Sequence, residues 1–112
     1  MLNSRMPPMM KNNKVFFDPQ PVIEHFGGSF TWNSASRTLT IRLGSRSLTH
    51  TVGTNYAIVN GTRTSLDSSN SQVASMVVNQ RPLLPADFVA KSMNIGFVWD
   101  SMTQTLFMFY KK

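Results

Sequence analysis

Residues 81–110 read RPLLPADFVAKSMNIGFVWDSMTQTLFMFY, and this stretch carries every signal needed to describe a folding unit. Its first four residues predict a short extended strand, and Pro85 ends that strand because proline has no backbone N–H to donate. A proline also fits the first turn of a helix. Apolar residues then recur at helical spacing, and Asp87 complements the helix dipole, so a short amphipathic helix is predicted over Ala86–Met93.

The rest of the stretch predicts a β-hairpin. Asn94 can end the helix in a left-handed conformation. Phe97 and Trp99 belong to a β-rich run, which residues 100–103 turn back into a second strand, Thr105–Tyr110. The predicted order of elements is therefore strand, helix, strand, strand.

The chain is predicted to contain this unit twice. Sliding the sequence against itself by about 67 residues lays residues 7–43 over residues 74–110 without a gap. Both tryptophans, Trp32 and Trp99, coincide, and so do the aromatic residues two positions before them. We therefore expect an α+β fold made of two ββαββ-like repeats, with mainly antiparallel sheet and two short helices that share one core.

The first copy predicts a helix of barely two turns. Asp18 can cap its N-terminus, and Pro19 fits its first turn. Gly27 and Gly28 end it, which gives a predicted range of residues 19–26. A helix this short depends on packing against the rest of the chain.

A single core is expected because 112 residues can bury one modest core but not two independent ones. Each large aromatic side chain removes roughly 150–250 Å² from water when it is buried. An alternative for the tryptophans is exposure, with the rings stacking on sugars. We expect six apolar side chains to meet in the core: Val22, Phe26, Trp32, Phe88, Val89 and Trp99.

These residues are similar to a known family. The string RPLLPADFVAKSMNIGFVWDSMTQTLFMF resembles the repeat of the copper amine oxidase-like N-terminal domain, also called the stalk domain. That repeat reads roughly R-T-hydrophobic-V-P-L-R-F-hydrophobic-A-E-hydrophobic-L-G-A-x-V-x-W-D-x-x-T-x-T-V-x-I. Asn60-Gly61 looks like the family's opening hairpin, and Asn-Gly is the strongest short signal for such a turn.

The chain also departs from the family's pattern. The family's proline is kept as Pro85 but is replaced by Asp18 in the first copy. Its arginine is replaced by Gln20 and by Asp87, so a role of that arginine is not carried over to this chain. The first copy begins without its own Asn-Gly hairpin, and we therefore expect the chain to be a piece of a longer protein.

The resemblance implies one stalk-like domain over residues 7–112. Residues 1–6 carry no periodicity, so a disordered terminus is expected there. Repeat one covers about residues 7–43, connecting hairpins cover 44–72, and repeat two covers about 73–110. It further implies a non-catalytic accessory module of a bacterial secreted or cell-surface protein. Such a module spaces or presents a domain of the same parent protein, or contacts cell-wall material. No cofactor is implied, because the copper chemistry of amine oxidases belongs to another domain.

The formal net charge of +6 suggests an alternative function. Between Glu24 and Asp67 there is no carboxylate, so this central segment is basic. A basic surface attracts anionic polymers, and we expect a cell-wall polymer rather than nucleic acid. The simpler interpretation is that the charges only keep a small domain soluble. Four arginines are the candidate polymer-binding residues: Arg37, Arg42, Arg46 and Arg63. Arg42 and Arg46 flank the predicted turn at residues 43–45, and we expect these two side chains to project near one another.

The sequence contains no pattern typical of catalysis. Its five carboxylates are scattered singly, whereas glycoside hydrolysis needs a facing pair. His25 and His50 are the only imidazoles and cysteine is absent, whereas a copper or zinc site needs at least three converging ligands. No catalytic, cofactor-binding or metal-binding residue is therefore predicted, and His50 is interpreted as a core or rim residue. A third hypothesis, an enzyme whose site the sequence hides, requires a convergent polar cleft. No run approaches the ~20 apolar residues of a membrane span.

Overall fold

The computed structural model of the chain describes residues 9–11, 14–67, 70, 73–100, 102–103 and 105–110. The predicted disordered terminus, residues 1–6, lies outside this described part. The described residues form eleven β-strands and two α-helices. In chain order they are β1 (Met9–Lys11), β2 (Lys14–Phe17), α1 (Pro19–His25), β3 (Ser29–Asn33), β4 (Thr38–Leu43), β5 (Arg46–Thr51), β6 (Tyr56–Val59), β7 (Thr62–Ser65), β8 (Met76–Val78), β9 (Arg81–Pro85), α2 (Ala86–Met93), β10 (Ile95–Asp100) and β11 (Thr105–Tyr110).

All strand pairs among the described residues are antiparallel, which confirms the predicted α+β class with mainly antiparallel sheet. These strands form a four-stranded sheet in the order β1-β2-β9-β8, a five-stranded sheet in the order β3-β4-β5-β6-β7, and a two-stranded ribbon, β10-β11. Helix α1 packs on β3, β4 and β9, and α2 packs on β2, β5, β9 and β10. Each helix therefore contacts strands from both halves of the chain.

Strand registers agree between the two halves. In β1–β2 Met9 lies opposite Phe16, and in β8–β9 Met76 lies opposite Leu83, which are the positions that the gapless alignment matches. The pairs β3–β4 and β10–β11 agree in the same way over five positions. Strands β2 and β9 then pair with each other in the middle of the four-stranded sheet.

Both helices begin and end close to the predicted residues. The Asp18 side chain accepts a hydrogen bond from the backbone N–H of Gln20 at 3.1 Å, as expected of an N-cap. Helix α1 ends at His25 and Phe26 is its C-cap, one residue earlier than predicted. Helix α2 covers the predicted range, and Asn94 ends it with φ 59° and ψ 44°, in the left-handed region.

Two of the predicted stop signals act differently from the prediction. Pro85 is the last residue of β9 and the N-cap of α2, not part of its first turn. After α1, Gly27 has φ 90°, a conformation that glycine adopts without strain. Gly28 serves the packing instead, because a Cβ at this position would lie 2.3 Å from the carbonyl oxygen of Arg42 on β4.

The core includes residues from both halves, but the tryptophans are not at its centre. Val22, Phe88 and Val89 are buried as predicted. Phe26 and Trp32 are only half-buried and pack against the edge of the core. Trp99 is half-buried, and it is neither one of the described core residues nor one of the half-buried residues that pack against them. Its predicted core position is therefore wrong. The physical reason is that β3 belongs to a broad sheet, whereas β10 belongs to a ribbon with one neighbouring strand.

Candidate anion-binding cleft

A cleft of about 670 Å³ lies between the second helix and the five-stranded sheet. Its walls come from β2, β5, β6, β7, α2 and the residues that follow β7. Two carboxylates, Asp67 and Asp87, face four cationic side chains in this cleft. The four cations are Lys14, Arg46, Arg63 and Lys91.

Lys14 is the cation that the cleft neutralises internally. Its ammonium donates to a carboxylate oxygen of Asp87 and lies 3.1 Å from Oδ2 of Asp67. Burial alone lowers the pKa of Lys14, but the hydrogen bonds and charges of Asp87 and Asp67 outweigh that effect. The pKa of Lys14 therefore lies above its ordinary value of 10.5, and the residue stays charged at neutral pH.

The other three cations of the cleft are open to an anion. Arg46 donates from Nη1 to the backbone carbonyl of Ser92 at 3.3 Å, which leaves further N–H donors of its guanidinium. The guanidinium carbon of Arg63 lies 3.8 Å from the centre of the Tyr56 ring, and Lys91 is exposed. In the described chain, ion pairs with carboxylates are made by Lys14 and Arg81 and by none of these three.

The structure divides the four predicted arginines into two groups. Arg46 and Arg63 line the cleft. Arg37 lies in the turn between β3 and β4 with φ 57°, and Arg42 is exposed on the outward face of β4. Arg42 and Arg46 were expected to project close together, and this expectation is wrong. Arg46 lies opposite Leu43, which is buried, so the two arginines are on opposite faces of the sheet.

Sequence reasoning missed the two lysines of the cleft. Lys14 is 23 positions before Arg37, the nearest predicted arginine, and no local pattern links it to the four arginines. Lys91 stands four residues after Asp87, which signals a helical ion pair and not a shared cleft with β5. Only the packing of α2 against β2 and β5 brings these side chains together.

His50 is buried and makes hydrogen bonds through both ring nitrogens. Nδ1 donates to the backbone carbonyl of Tyr56 at 2.8 Å, and Nε2 accepts from the hydroxyl of Ser75. The Ser75 oxygen also accepts from the backbone N–H of Gly53 at 3.2 Å. Both side chains are less than a tenth exposed, so this serine–histidine pair is held in the interior and does not face a substrate.

Histidine and acidic side chains are scattered over the described part of the structure. In the part of the chain that the structure describes, no three histidine, cysteine, aspartate or glutamate side chains come together. The whole sequence contains two histidines and no cysteine. Neither described helix has the length and apolar character that a membrane crossing needs.

Comparison with known proteins gives one match. Searches of curated proteins and of solved structures find nothing that matches this chain. The family model described as the copper amine oxidase N-terminal domain matches residues 1–108, nearly the whole length. The resemblance read from the repeat is thereby confirmed, and the chain belongs to the copper amine oxidase N-terminal domain family, a family of non-catalytic stalk-like modules.

Proposed function

We propose that this chain is an accessory or stalk module of a bacterial secreted or cell-surface protein. In this role it spaces or presents a neighbouring domain or contacts cell-wall material, and it has no catalytic activity of its own. Family membership supports the proposal, since the family is drawn from extracellular or periplasmic enzymes. We further propose that residues 7–112 act as one domain built from two copies of one unit.

The observation that carries the proposal is the use of polar groups to join the two halves. Arg81 of the second half donates to Gln20 and makes an ion pair with Asp18 in the first half. Lys14 of the first half makes the matching contact with Asp87 in the second half. Groups that could perform acid–base chemistry are thus engaged in holding the halves together.

The buried polar groups point the same way. Among the described residues, every buried side-chain nitrogen and oxygen atom has a hydrogen-bond partner. An active site is expected to keep groups with perturbed pKa values accessible to its substrate. A domain whose buried polar atoms all serve internal contacts is suited to a rigid spacer.

The absence of catalysis can be tested directly. The isolated chain is incubated with benzylamine, with and without one equivalent of Cu²⁺, and hydrogen peroxide is measured over time. We expect the same rate as in the matching buffers without protein. Peroxide formation above the control with Cu²⁺ alone would overturn the non-catalytic part of the proposal.

A spacer must also hold its neighbours at a fixed separation. The chain is placed between a donor and an acceptor fluorescent protein, and energy transfer is measured at increasing urea concentration. We expect a constant transfer efficiency until the domain unfolds. A broad distribution of efficiencies, like that of a Gly/Ser linker of the same length, would contradict the spacer role.

A second candidate function is binding of an anionic polymer in the cleft. The specific observation is that Arg46, Arg63 and Lys91 line the same cleft. Neutralising charges there should weaken binding, and salt should do so as well because the Debye length falls to about 8 Å near physiological ionic strength.

The experiment compares two matched double variants on immobilised teichoic acid. Arg63→Gln/Lys91→Gln removes two exposed charges from the cleft, and Arg37→Gln/Arg42→Gln removes two charges elsewhere. We expect the cleft variant to elute at lower salt than the control variant. Equal elution of the two variants would show that net charge, and not the cleft, determines retention.

A further inference from the structure

The outward faces of the two matching ribbons differ in chemistry. At the matching positions of β10–β11, on the outward face, lie Val98, Phe107 and Phe109, which are 54%, 43% and 59% exposed. Val98 and Phe107 are directly opposite each other, so the three side chains form one patch. Clustered exposed apolar side chains mark interaction surfaces. On β3–β4 the corresponding face is polar throughout: Ser29, Thr31, Asn33, Thr38, Thr40 and Arg42.

The edges of the two ribbons differ as well. Strand β4 pairs on one side with β3 and on the other with β5, along six register positions. Strand β11 pairs with β10 in the register that β4 shows with β3, but no second neighbour for it lies among the described strands. A free edge presents unpaired backbone N–H and C=O groups, which is a template for another strand.

The helices show the same difference. In the first half, β5 turns Leu48 and His50 inward and packs on α2. The described strands that pack closely on α1 are β3, β4 and β9. None of these three strands takes the place at α1 that β5 takes at α2. A strand added to the outer edge of β11 would occupy the position at α1 that β5 occupies at α2.

We propose that the outer edge of β11 accepts an antiparallel β-strand from another polypeptide segment, a strand of the domain that the stalk carries. This inference rests on the proposed stalk function. The segment has apolar residues at alternate positions, because one of its faces lies toward α1. Main-chain hydrogen bonds provide the affinity and the alternating side chains provide the specificity. The body of the neighbouring domain covers Val98, Phe107 and Phe109.

A second copy of this chain fits the ribbon less well. A two-stranded ribbon of six residues per strand offers a footprint of about 20 Å by 10 Å, roughly 200 Å². Stable association of separate proteins buries about 800 Å² per partner. Each copy also carries a formal charge of +6, so two copies repel each other. A strand of a covalently linked domain needs less area, since linkage raises its effective concentration.

The test uses the full chain and a synthetic peptide with the sequence of residues 44–52. This peptide contains β5, the strand that the matching edge of β4 accepts. At a peptide concentration about ten times the Kd, the edge amides of β11 should exchange with solvent about tenfold more slowly. Amides of β7, another strand with one described neighbour, serve as the control and should not change. Protection of β7 without β11, or of neither, would overturn the proposal.

Two N-methylated peptides test whether the backbone is the contact. In an antiparallel pair, alternate N–H groups point toward the neighbouring strand. Methylation of one alternate set should abolish binding, and methylation of the other set should leave it unchanged. Equal binding of both peptides would show that the peptide does not add to the sheet, and would overturn strand addition.

Sedimentation velocity distinguishes a second copy from a foreign strand. The matched variant Phe107→Thr/Phe109→Arg gives the outward face of β11 the residues that β4 carries at Thr40 and Arg42. We expect the unmodified chain and the variant both to be monomers. A dimer that the variant abolishes would assign the ribbon to self-association and overturn the proposal. A failed peptide titration would leave the stalk function standing, because peroxide and energy-transfer measurements test that function independently.

Discussion

His50 occupies a position in the sheet where a charged ring would be costly. Burial is the main cause that lowers its pKa below the ordinary value of 6.5, and the hydrogen bond to the Tyr56 carbonyl opposes this only in part. The folded protein therefore keeps the imidazole neutral over a pH range in which the unfolded chain binds a proton. Nε2 can then accept from Ser75, which in turn accepts from Gly53.

The first prediction follows from this difference in proton binding. Because the unfolded state binds more protons, the stability that neutral His50 contributes is complete above about pH 6.5 and is lost as the pH falls toward the folded pKa. The free energy of unfolding in urea should therefore decrease from about pH 7.5 to about pH 5.5. His50→Gln should show a weaker decrease, whereas His25→Gln, altered at an exposed ring, should follow the unmodified chain. Identical pH profiles for the unmodified chain and His50→Gln would contradict the prediction.

Asp18 and Arg81 form the second residue-scale case. Nε and Nη2 of Arg81 lie 3.0 and 3.2 Å from the two carboxylate oxygens of Asp18, whose side chain is 0% exposed. Arg81→Ala leaves that buried carboxylate without its cation, so a loss of about 3–5 kcal/mol is expected. Arg81→Lys should lie in between, because lysine keeps the charge but not the two-point contact.

Urea unfolding of the three proteins, with Arg42→Ala as the exposed control, measures this loss. The control should change the free energy of unfolding by no more than about 0.5 kcal/mol. If Arg81→Ala were no more harmful than Arg42→Ala, the ion pair between the halves would not contribute to stability.

At the scale of elements, the two β-ribbons have the same register but different surroundings. Trp32 on β3 packs against the core, whereas Trp99 on β10 is not among the described residues that form the core or pack against it. Trp32→Ala should therefore cost more stability than Trp99→Ala. We expect losses of about 2–3 and about 1 kcal/mol, below the 3–5 kcal/mol of a fully buried aromatic residue. Thermal unfolding of both variants checks the order, and equal losses would mean that the two ribbons are equally covered.

Local elements could be predicted because their signals are short-range. Asp18 caps α1 through its side-chain carboxylate, whereas Asn94 and Asn60-Gly61 determine a cap and a turn through left-handed backbone conformations. The structure confirms all three. The cleft could not be predicted, because it depends on which face of β5 meets α2. The opposite orientation of Arg42 and Arg46, in contrast, follows from the alternation of side chains alone. A two-residue turn places Arg46 opposite Leu43, and Leu43 and Arg42 are neighbours on one strand and therefore lie on opposite faces.

At the scale of the whole molecule, strand pairing and a shared core join the two halves. Strands β2 and β9 pair in the middle of the four-stranded sheet, and Phe17 lies opposite Leu84, its own partner in the sequence alignment. The buried core includes Ile23 from the first half and Val89 from the second. Among the described residues, the buried side chains of the two halves form one core, so the halves should unfold together.

The tryptophans make this last prediction measurable, because each reports on one half. In Trp99→Phe the fluorescence comes from Trp32 in the first half, and in Trp32→Phe it comes from Trp99 in the second. Within each variant, the fluorescence midpoint in urea should coincide with the far-UV circular dichroism midpoint, as in a two-state transition. Ile23→Ala and Val89→Ala, each expected to cost about 2–4 kcal/mol, should shift both midpoints together. If Ile23→Ala moved only the Trp32 signal, the halves would be separate folding units, and the contacts across β2 and β9 would not couple them.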